Sequence, residues 1–305
     1  MKLINKYLNG NVTVTLFDNG TKIQEWDDNE GAHPDYPNSM DIKITNYCNA
    51  GCSYCHEKST INGKHADLEY LLTILKDLPK GTELAIGGGN PLDHPKLLEF
   101  LIECKTIGII PNLTINYKHI SPVYLTFKQE YVNLLNKLLN QQLIYGLGIS
   151  IPDDFEDYVI NQFDKKDNIV YHVIAGVNEL SILNKIKESP VKKCLILGYK
   201  QYGRGETYYS EEVKDCLEDW SCNLGQYIKK IHLSFDNLSL KQLNIKQYLT
   251  DEEWDRFYCG TDGAFTMYID AVEQKYAMSS TNPNKYDLVG DIKSIFSNIN
   301  SQIIV

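Results

Sequence analysis

The chain has 305 residues, of which 43% are hydrophobic, enough for one large α/β domain with a smaller appendage. The formal net charge is −10 and the densest basic points are isolated lysine pairs, which disfavours a large nucleic-acid substrate and suits a neutral or basic peptide. The sequence shows neither an apolar leader nor an apolar run of about 18 residues, and it has eight cysteines, so we expect a cytoplasmic protein without a membrane span.

Residues 1–39 predict a small N-terminal β-hairpin cap. Residues 11–17 and 21–26 alternate β-branched or apolar residues with polar ones, which is typical of strands. The intervening Asp18-Asn19-Gly20 contains the Asn-Gly pair that is favoured in tight hairpin turns. The proline-containing stretch 33–37 is expected to link this cap to the next part of the chain.

Residues 40–205 alternate strand and helix patterns, which predicts a parallel sheet with right-handed crossovers. Helices are indicated by apolar residues at helical spacing, for example over 95–107 and 125–139. Parallel α/β folds place their ligand sites at the carboxyl ends of the strands, where most of the candidate ligands fall. The expected strands lie near residues 41–45, 83–87, 112–116, 144–151, 168–175 and 193–199.

The alternation stops near residue 205, and residues 206–305 predict a small α+β extension. A helix is expected over 211–229, followed by a strand over 231–235 and a second helix after Leu240. A hairpin is expected next, with its strands over 265–270 and 275–278. Residues 286–298 predict a closing helix.

Cys48, Cys52 and Cys55 form a C-x3-C-x2-C triplet directly after a predicted strand. Three thiolates on one tight loop can hold an iron–sulfur cubane by three irons, which leaves the fourth iron without a local protein ligand. An open metal position is a reaction site, as it is in catalytic zinc centres. A zinc site is the alternative, but zinc needs a fourth ligand and His56 directly abuts Cys55.

The spacing of the triplet resembles the signature of the radical S-adenosylmethionine (radical SAM) superfamily. In that superfamily the open iron binds the amino and carboxylate groups of S-adenosylmethionine, and an electron from the 4Fe–4S cluster cleaves the sulfonium to give a 5′-deoxyadenosyl radical. Tyr54 precedes the last cysteine, where the family usually has an aromatic residue against the adenine. The resemblance implies both cofactors and a partial (β/α)6 TIM-like barrel.

A glycine-rich turn after the second predicted barrel strand extends this resemblance. Gly88-Gly89-Asn90-Pro91 is similar to the family's G-G-E-P motif, which binds the methionyl amino group through backbone oxygen. Asn90 replaces the usual glutamate. Taken alone, such a run is an ordinary strand-to-helix turn.

Three further strand ends carry residues that match family positions. Asn116 and Ser150 end their strands where the family contacts the ribose. The segment from residue 174 to 179 is similar to the end of the G-x-I-x-G-x-x-E element that packs on the adenine, with a histidine at the first glycine position. Ile174, Gly176 and Glu179 match that element, so the resemblance implies that all five residues bind the cofactor.

The extension resembles the SPASM and twitch extensions of some radical SAM enzymes. Cys259-Gly260 and the hairpin match loosely, but Met278 occupies the position of the second cysteine, so the auxiliary cluster motif is incomplete. Cys222 and Cys259 are candidates for donating a hydrogen atom to a substrate radical, and together with Cys216 they are also candidates for an auxiliary cluster. The alternative is that these three cysteines are buried small hydrophobic residues.

The resemblance therefore predicts a radical SAM enzyme with three parts: a cap (1–39), a partial barrel (40–205) and an extension (206–305). The degenerate extension favours modification of a peptide or another small molecule, with an electron donor such as flavodoxin or ferredoxin. Alternatives are an enzyme for a nucleoside or sugar and an activase for a glycyl-radical enzyme. The non-enzymatic alternative is an iron–sulfur or zinc binding protein, which would not need the adenosine-contacting strand ends.

Overall fold

The computed structural model describes residues 2–18 and 21–303, so the predicted Asn19-Gly20 turn lies outside the described residues. The strands are β1 (Leu3–Asn9), β2 (Val12–Phe17), β3 (Lys22–Glu25), β4 (Ser39–Thr45), β5 (Glu83–Gly88), β6 (Ile110–Asn116), β7 (Gly146–Ser150), β8 (Ile169–Ile174), β9 (Lys193–Leu197), β10 (His232–Phe235), β11 (Thr266–Asp270), β12 (Lys275–Ala277) and β13 (Tyr286–Asp287). The helices are α1 (Leu68–Leu75), α2 (Leu97–Ile107), α3 (Gln129–Asn140), α4 (Asp157–Ile160), α5 (Ile182–Glu188), α6 (Arg204–Tyr208), α7 (Glu211–Asn223), α8 (Asn237–Gln242), α9 (Asp251–Phe257) and α10 (Ile292–Asn300).

A ten-stranded sheet organises most of the chain, in the order β10-β9-β8-β7-β6-β5-β4-β11-β12-β13. Every pair from β10 to β11 is parallel, and the last two pairs are antiparallel. Within the described residues β10 and β13 are the two edges and do not pair, so the sheet is not a closed barrel. The expected α/β class with a parallel sheet is confirmed.

The two faces of the sheet differ because strand residues alternate in direction. On β4, Met40, Ile42 and Ile44 are buried in the main hydrophobic core, whereas Asp41 and Lys43 line a cavity on the concave face. The helices α1, α2, α3 and α5 contribute leucine and isoleucine side chains to the same core. Apolar side chains therefore pack between the helices and one face of the sheet, and polar side chains lie on the face that lines the cavity.

The N-terminal part is a three-stranded antiparallel sheet, β1-β2-β3, rather than a hairpin. The prediction missed β1 because its residues are mostly exposed or half-buried and alternate weakly. Val12 and Val14 of β2 pack against Phe265 in a separate small core. Leu16 shares a cavity with Ile110, the first residue of β6, so this sheet covers the amino-terminal edge of the parallel strands.

The C-terminal residues add strands to both sides of the central sheet, which the sequence did not predict. β10 pairs with β9, and β11 pairs with β4 in parallel, with Tyr268 opposite Asp41. The helix expected over 211–229 ends at Asn223, and the closing helix begins at Ile292 because Asp291 caps it by accepting from the Ser294 amide.

The predicted hairpin is present as β11 and β12, whereas the division of the chain at residues 39 and 205 stays a prediction. Across the described ranges, no helix is both long enough and apolar enough to traverse a bilayer.

Candidate active site

The concave face of the sheet encloses a cavity of about 420 Å³ at the carboxyl ends of the parallel strands. Parallel α/β folds bind ligands at this edge, because the loops that follow successive strands converge there. The structure brings most of the sequence-predicted site residues to this cavity. Its lining includes Cys48, Cys52, Tyr54, Cys55, Gly88, Gly89, Asn116, Ser150 and Ile174.

The cysteine loop leaves β4 and folds back on itself. The Cys48 amide donates to the Thr60 carbonyl at 2.9 Å, and the Cys55 amide donates to the Cys52 carbonyl at 3.3 Å. Three nitrogens lie near the sulfurs: the Ala50 amide lies 3.4 Å from Cys48 Sγ, Asn116 Nδ2 lies 3.7 Å from Cys52 Sγ, and His119 Nε2 lies 3.8 Å from Cys48 Sγ. The Ala50 amide and the Asn116 side-chain amide therefore donate hydrogen bonds to the cysteine sulfurs.

The thiol groups of the loop suit a cluster better than a nucleophile. Burial raises the pKa of both Cys48 and Cys52, although the Lys118 charge opposes this for Cys52. These two thiols are therefore protonated at neutral pH, and a metal must displace their protons to bind. All three cysteines are free of disulfides and half-buried.

The donor set fits the 4Fe–4S cluster that the resemblance implies, because it offers three soft thiol donors on one loop at the cavity wall. In residues 2–18 and 21–303 no three His, Cys, Asp or Glu side chains are grouped to hold a single metal ion. A cubane takes each thiolate on a separate iron, so that finding concerns single ions and not clusters.

The Gly88-Gly89 turn is pressed against the start of the cysteine loop. Gly88 has φ +114°, and a Cβ there would lie 2.5 Å from the Thr45 carbonyl oxygen. A Cβ on Gly89 would lie 2.2 Å from the Tyr47 carbonyl oxygen. Both glycines are required by this close backbone approach and by the conformation of Gly88.

Asn90 does not line the cavity. It is fully buried, its Nδ2 donates to Asp93 at 2.8 Å, and its side-chain oxygen accepts from the Leu92 amide at 3.4 Å. It therefore caps the short 3-10 helix Pro91–Asp93 instead of facing a ligand. The departure from the family's glutamate falls at a position that this structure does not place at the cavity.

Asn116 and Ser150 lie opposite each other as Cα partners at the ends of β6 and β7. His172 is the Cα partner of Ser150 on β8, and its ring lies over Gly148, where a Cβ would be 2.3 Å from the imidazole Cε1. Burial lowers the pKa of His172 to about 4, so its ring is neutral at physiological pH. This wall offers an amide, a hydroxyl and a neutral imidazole for hydrogen bonding.

The predicted adenine-packing segment divides into two groups. Ile174 lines the cavity together with Val177. Gly176 (φ +88°) instead lies beneath α7, where a Cβ would be 3.1 Å from Leu217, and Glu179 is exposed and accepts from Ser181 at 3.2 Å. Gly176 and Glu179 are therefore not brought to the cavity by this structure.

A charged wall at the β4 side of the cavity was not predicted. Lys43 Nζ forms ion pairs with Glu57 at 2.8 Å and with Asp270 at 2.9 Å, and the three side chains are only 7%, 13% and 4% exposed. Tyr268 donates to Glu57 at 3.4 Å. Burial alone would raise the pKa of Glu57, but His56 and Lys43 outweigh it and hold the pKa well below its usual range.

Lys200 extends the charged wall towards the C-terminal residues. Its Nζ donates to Ser280 at 2.9 Å and lies 3.5 Å from His56 Nε2. Asp41 lies in the cavity wall, where solvent reaches it through the cavity. The surrounding protein atoms nevertheless raise the pKa of its carboxyl, although the Lys200 charge opposes this. In the sequence, this charged wall was indicated only by Asp41 and Lys43, two charged residues within an otherwise apolar strand pattern.

Cys222 and Cys259 are exposed and do not line the cavity. Cys259 Sγ lies 3.6 Å from the Phe257 carbonyl oxygen. Cys216 donates to the Asn178 carbonyl at 3.3 Å and packs against the main core. The expectation that Cys222 or Cys259 donates a hydrogen atom thus finds no support in the geometry. The alternative of burial also fails for both, because solvent reaches them.

Comparisons with known proteins agree with this arrangement. The model of the radical SAM superfamily matches residues 42–189. A search of curated proteins found no match.

Among solved structures, the chain resembles Streptococcus suis SuiB bound to precursor peptide SuiA, with a TM-score of 0.57 and 12% identity over 86% of this chain and 65% of that chain. It also resembles SuiB bound to S-adenosylmethionine, with a TM-score of 0.57 and 15% identity over 86% of this chain and 66% of that chain.

The chain thus spans just under two thirds of the length of the SuiB chains, and at these identities the likeness shows the fold alone. The family implies a 4Fe–4S cluster and S-adenosylmethionine as cofactors. The cysteine triplet lies within the matched residues and at the cavity wall, so residues 42–189 of this chain form a radical SAM domain.

Proposed function

We propose that this chain is a radical SAM enzyme that modifies a peptide and that Cys48, Cys52 and Cys55 hold its cluster. Held by these cysteines, the cluster would supply the electron for reductive cleavage of S-adenosylmethionine, the chemistry that allows a hydrogen atom to be abstracted from the substrate. The observation that carries the proposal is that one cavity combines a neutral half, at the ends of β6, β7 and β8, with a charged half formed by β4, Glu57 and Lys200.

The neutral half suits the cofactor. The amide of Asn116 and the hydroxyl of Ser150 lie side by side and can bond a diol such as that of ribose. Ile174 and Val177 offer an apolar surface for a flat base, and Tyr54 of the cysteine loop lines the same cavity. Gly88 and Gly89 line the same cavity at the end of β5.

The charged half suits a polar substrate. Lys43 is neutralised by Glu57 and Asp270, which leaves Asp41, Lys200 and the Tyr268 hydroxyl at the cavity surface. An extended peptide would offer amide, amino and side-chain groups to these residues. The net charge of −10 favours a neutral or basic peptide, and a structure of similar fold, SuiB, was crystallised with a precursor peptide.

Substrate-stimulated cleavage of S-adenosylmethionine tests the proposal. Anaerobically reconstituted, dithionite-reduced protein is incubated with pools of blocked pentapeptides and, in parallel, with nucleosides and simple sugars. Chromatography of 5′-deoxyadenosine should show stimulation by peptide pools, with basic pools ahead of acidic ones. Stimulation by nucleosides or sugars but not by peptides would overturn the assignment of substrate class.

A further inference from the structure

The segment that follows β9, residues 199–208, crosses over the cysteine loop, and we call it the strap. Two glycines allow the contact. Gly203 has φ +62°, and a Cβ there would lie 2.3 Å from the His56 carbonyl oxygen. A Cβ on Gly205 would lie 3.3 Å from the Tyr54 carbonyl oxygen. The strap and the loop are thus packed backbone against backbone.

Arg204, between these glycines, makes three hydrogen bonds to the loop. Its amide donates to the Cys55 carbonyl at 3.0 Å, its Nε donates to the Cys52 carbonyl at 2.9 Å, and its Nη1 donates to the Ser59 carbonyl at 3.1 Å. Two of these carbonyls belong to candidate cluster ligands. One residue, about 150 positions along the chain, therefore holds the loop that must present two sulfurs.

The guanidinium is suited to this position for a geometric reason. Its planar fork directs two N–H groups at carbonyls of Cys52 and Ser59 at the same time, which a lysine ammonium on a flexible stem does not reproduce. Arginine also stays charged at all relevant pH values, so it places a permanent positive charge beside the loop. Hydrogen bonds and net charge around the sulfurs are two of the factors that set a cluster's potential.

The strap does not depend on the Arg204 side chain to keep its own shape. The Tyr199 hydroxyl donates to the Gly205 carbonyl at 2.7 Å, and the Tyr199 amide donates to Gln242 at 2.7 Å. Removing the guanidinium should therefore loosen the cysteine loop more than the strap. This separates a positioning role from general stability.

We propose that Arg204 is the positioning residue of the cluster: its guanidinium fixes the Cys52–Ser59 part of the loop and adds a positive charge next to it. The inference rests on the proposed cluster site. We expect that loss of the two guanidinium hydrogen bonds weakens the retention of iron, and that loss of the positive charge makes the cluster harder to reduce.

The test compares Arg204→Gln, Arg204→Lys and the control Arg256→Gln, which changes the chain's other arginine, an exposed residue of α9. The measurements are iron and sulfide per chain after anaerobic reconstitution, the rate of iron loss to a chelator, and the midpoint potential followed by paramagnetic resonance. Thermal melting of the apo proteins checks that each variant is folded.

For Arg204→Gln we expect iron loss about tenfold faster or more, the range for partners behind metal ligands, and a more negative potential. Arg204→Lys should lose iron nearly as fast but keep a potential closer to wild type, and Arg256→Gln should match wild type. Wild-type retention and potential in both Arg204 variants would overturn the inference. A wild-type protein that binds no cluster would instead overturn the proposed cluster site.

Discussion

Lys43 Nζ lies 2.9 Å from the Asp270 carboxylate, an ion pair that joins β4 to β11 across 227 positions of the sequence. Glu57, two residues after the last cysteine of the triplet, forms a second ion pair with Lys43, its carboxylate lying 2.8 Å from Nζ. The parallel register that places Asp270 opposite Lys43 brings the C-terminal strand into the cavity wall. The C-terminal residues are thus part of the site rather than a lid added over it.

The first prediction concerns this buried ion pair. Lys43→Met should destabilise the protein by about 3–5 kcal/mol, because it leaves two nearly buried carboxylates without their cation. The matched control is Lys96→Met, which breaks an exposed pair with Glu69 and should change stability little. Urea unfolding of both variants measures the difference. Equal urea midpoints for Lys43→Met and Lys96→Met would contradict the prediction, because they would show that the two carboxylates of the charged wall are solvated by water.

The second prediction concerns the cysteines. Replacing Cys48, Cys52 and Cys55 together by Ala should abolish cluster binding, since no local ligand remains for three of the irons. Iron and sulfide analysis of reconstituted protein measures this. The control replaces Cys104 and Cys194, which are fully buried in the main core, by Ala and should keep full iron content if it folds. A cluster retained in the triple variant would contradict the assignment.

The third prediction concerns the glycine turn. Gly88→Ala should destabilise the fold by about 1–3 kcal/mol and weaken binding of S-adenosylmethionine, because the new methyl group meets the Thr45 carbonyl at a positive φ. Gly31→Ala is the control: Gly31 also has positive φ (+71°), but nothing lies within 4 Å of its added Cβ. Thermal melting and calorimetric titration check the pair. If Gly31→Ala costs as much, backbone strain alone explains the effect.

The fourth prediction concerns the exposed cysteines. Cys222→Ala and Cys259→Ala should leave both the rate of 5′-deoxyadenosine formation and the product unchanged, because neither residue lines the cavity. Chromatography and mass spectrometry of the reaction follow both quantities. A changed product distribution with normal cleavage would restore the hydrogen-donor role and imply that these residues move into the cavity.

Local patterns were sufficient for most of the helices and strands of residues 40–205 and for the centre of the site. The C-x3-C-x2-C spacing, the glycine turn and the strand ends at Asn116 and Ser150 depend only on nearby residues, and each of them lies at the cavity. The alternation of strand and helix periods likewise predicted the parallel sheet, because each period is a property of one segment. Asn90 and Glu179 show the limit of this reasoning, since a matching position does not determine where a side chain points.

Tertiary structure alone decided which distant residues complete the cavity. The pairing of β11 with β4, the Lys43 wall and the Arg204 contacts each join residues separated by more than 140 positions. No local periodicity encodes such contacts, because they arise from the register between strands and from the path of the chain over the sheet. The sequence by itself determined the chemistry at the cysteine loop, and the packing of the chain determined what surrounds it.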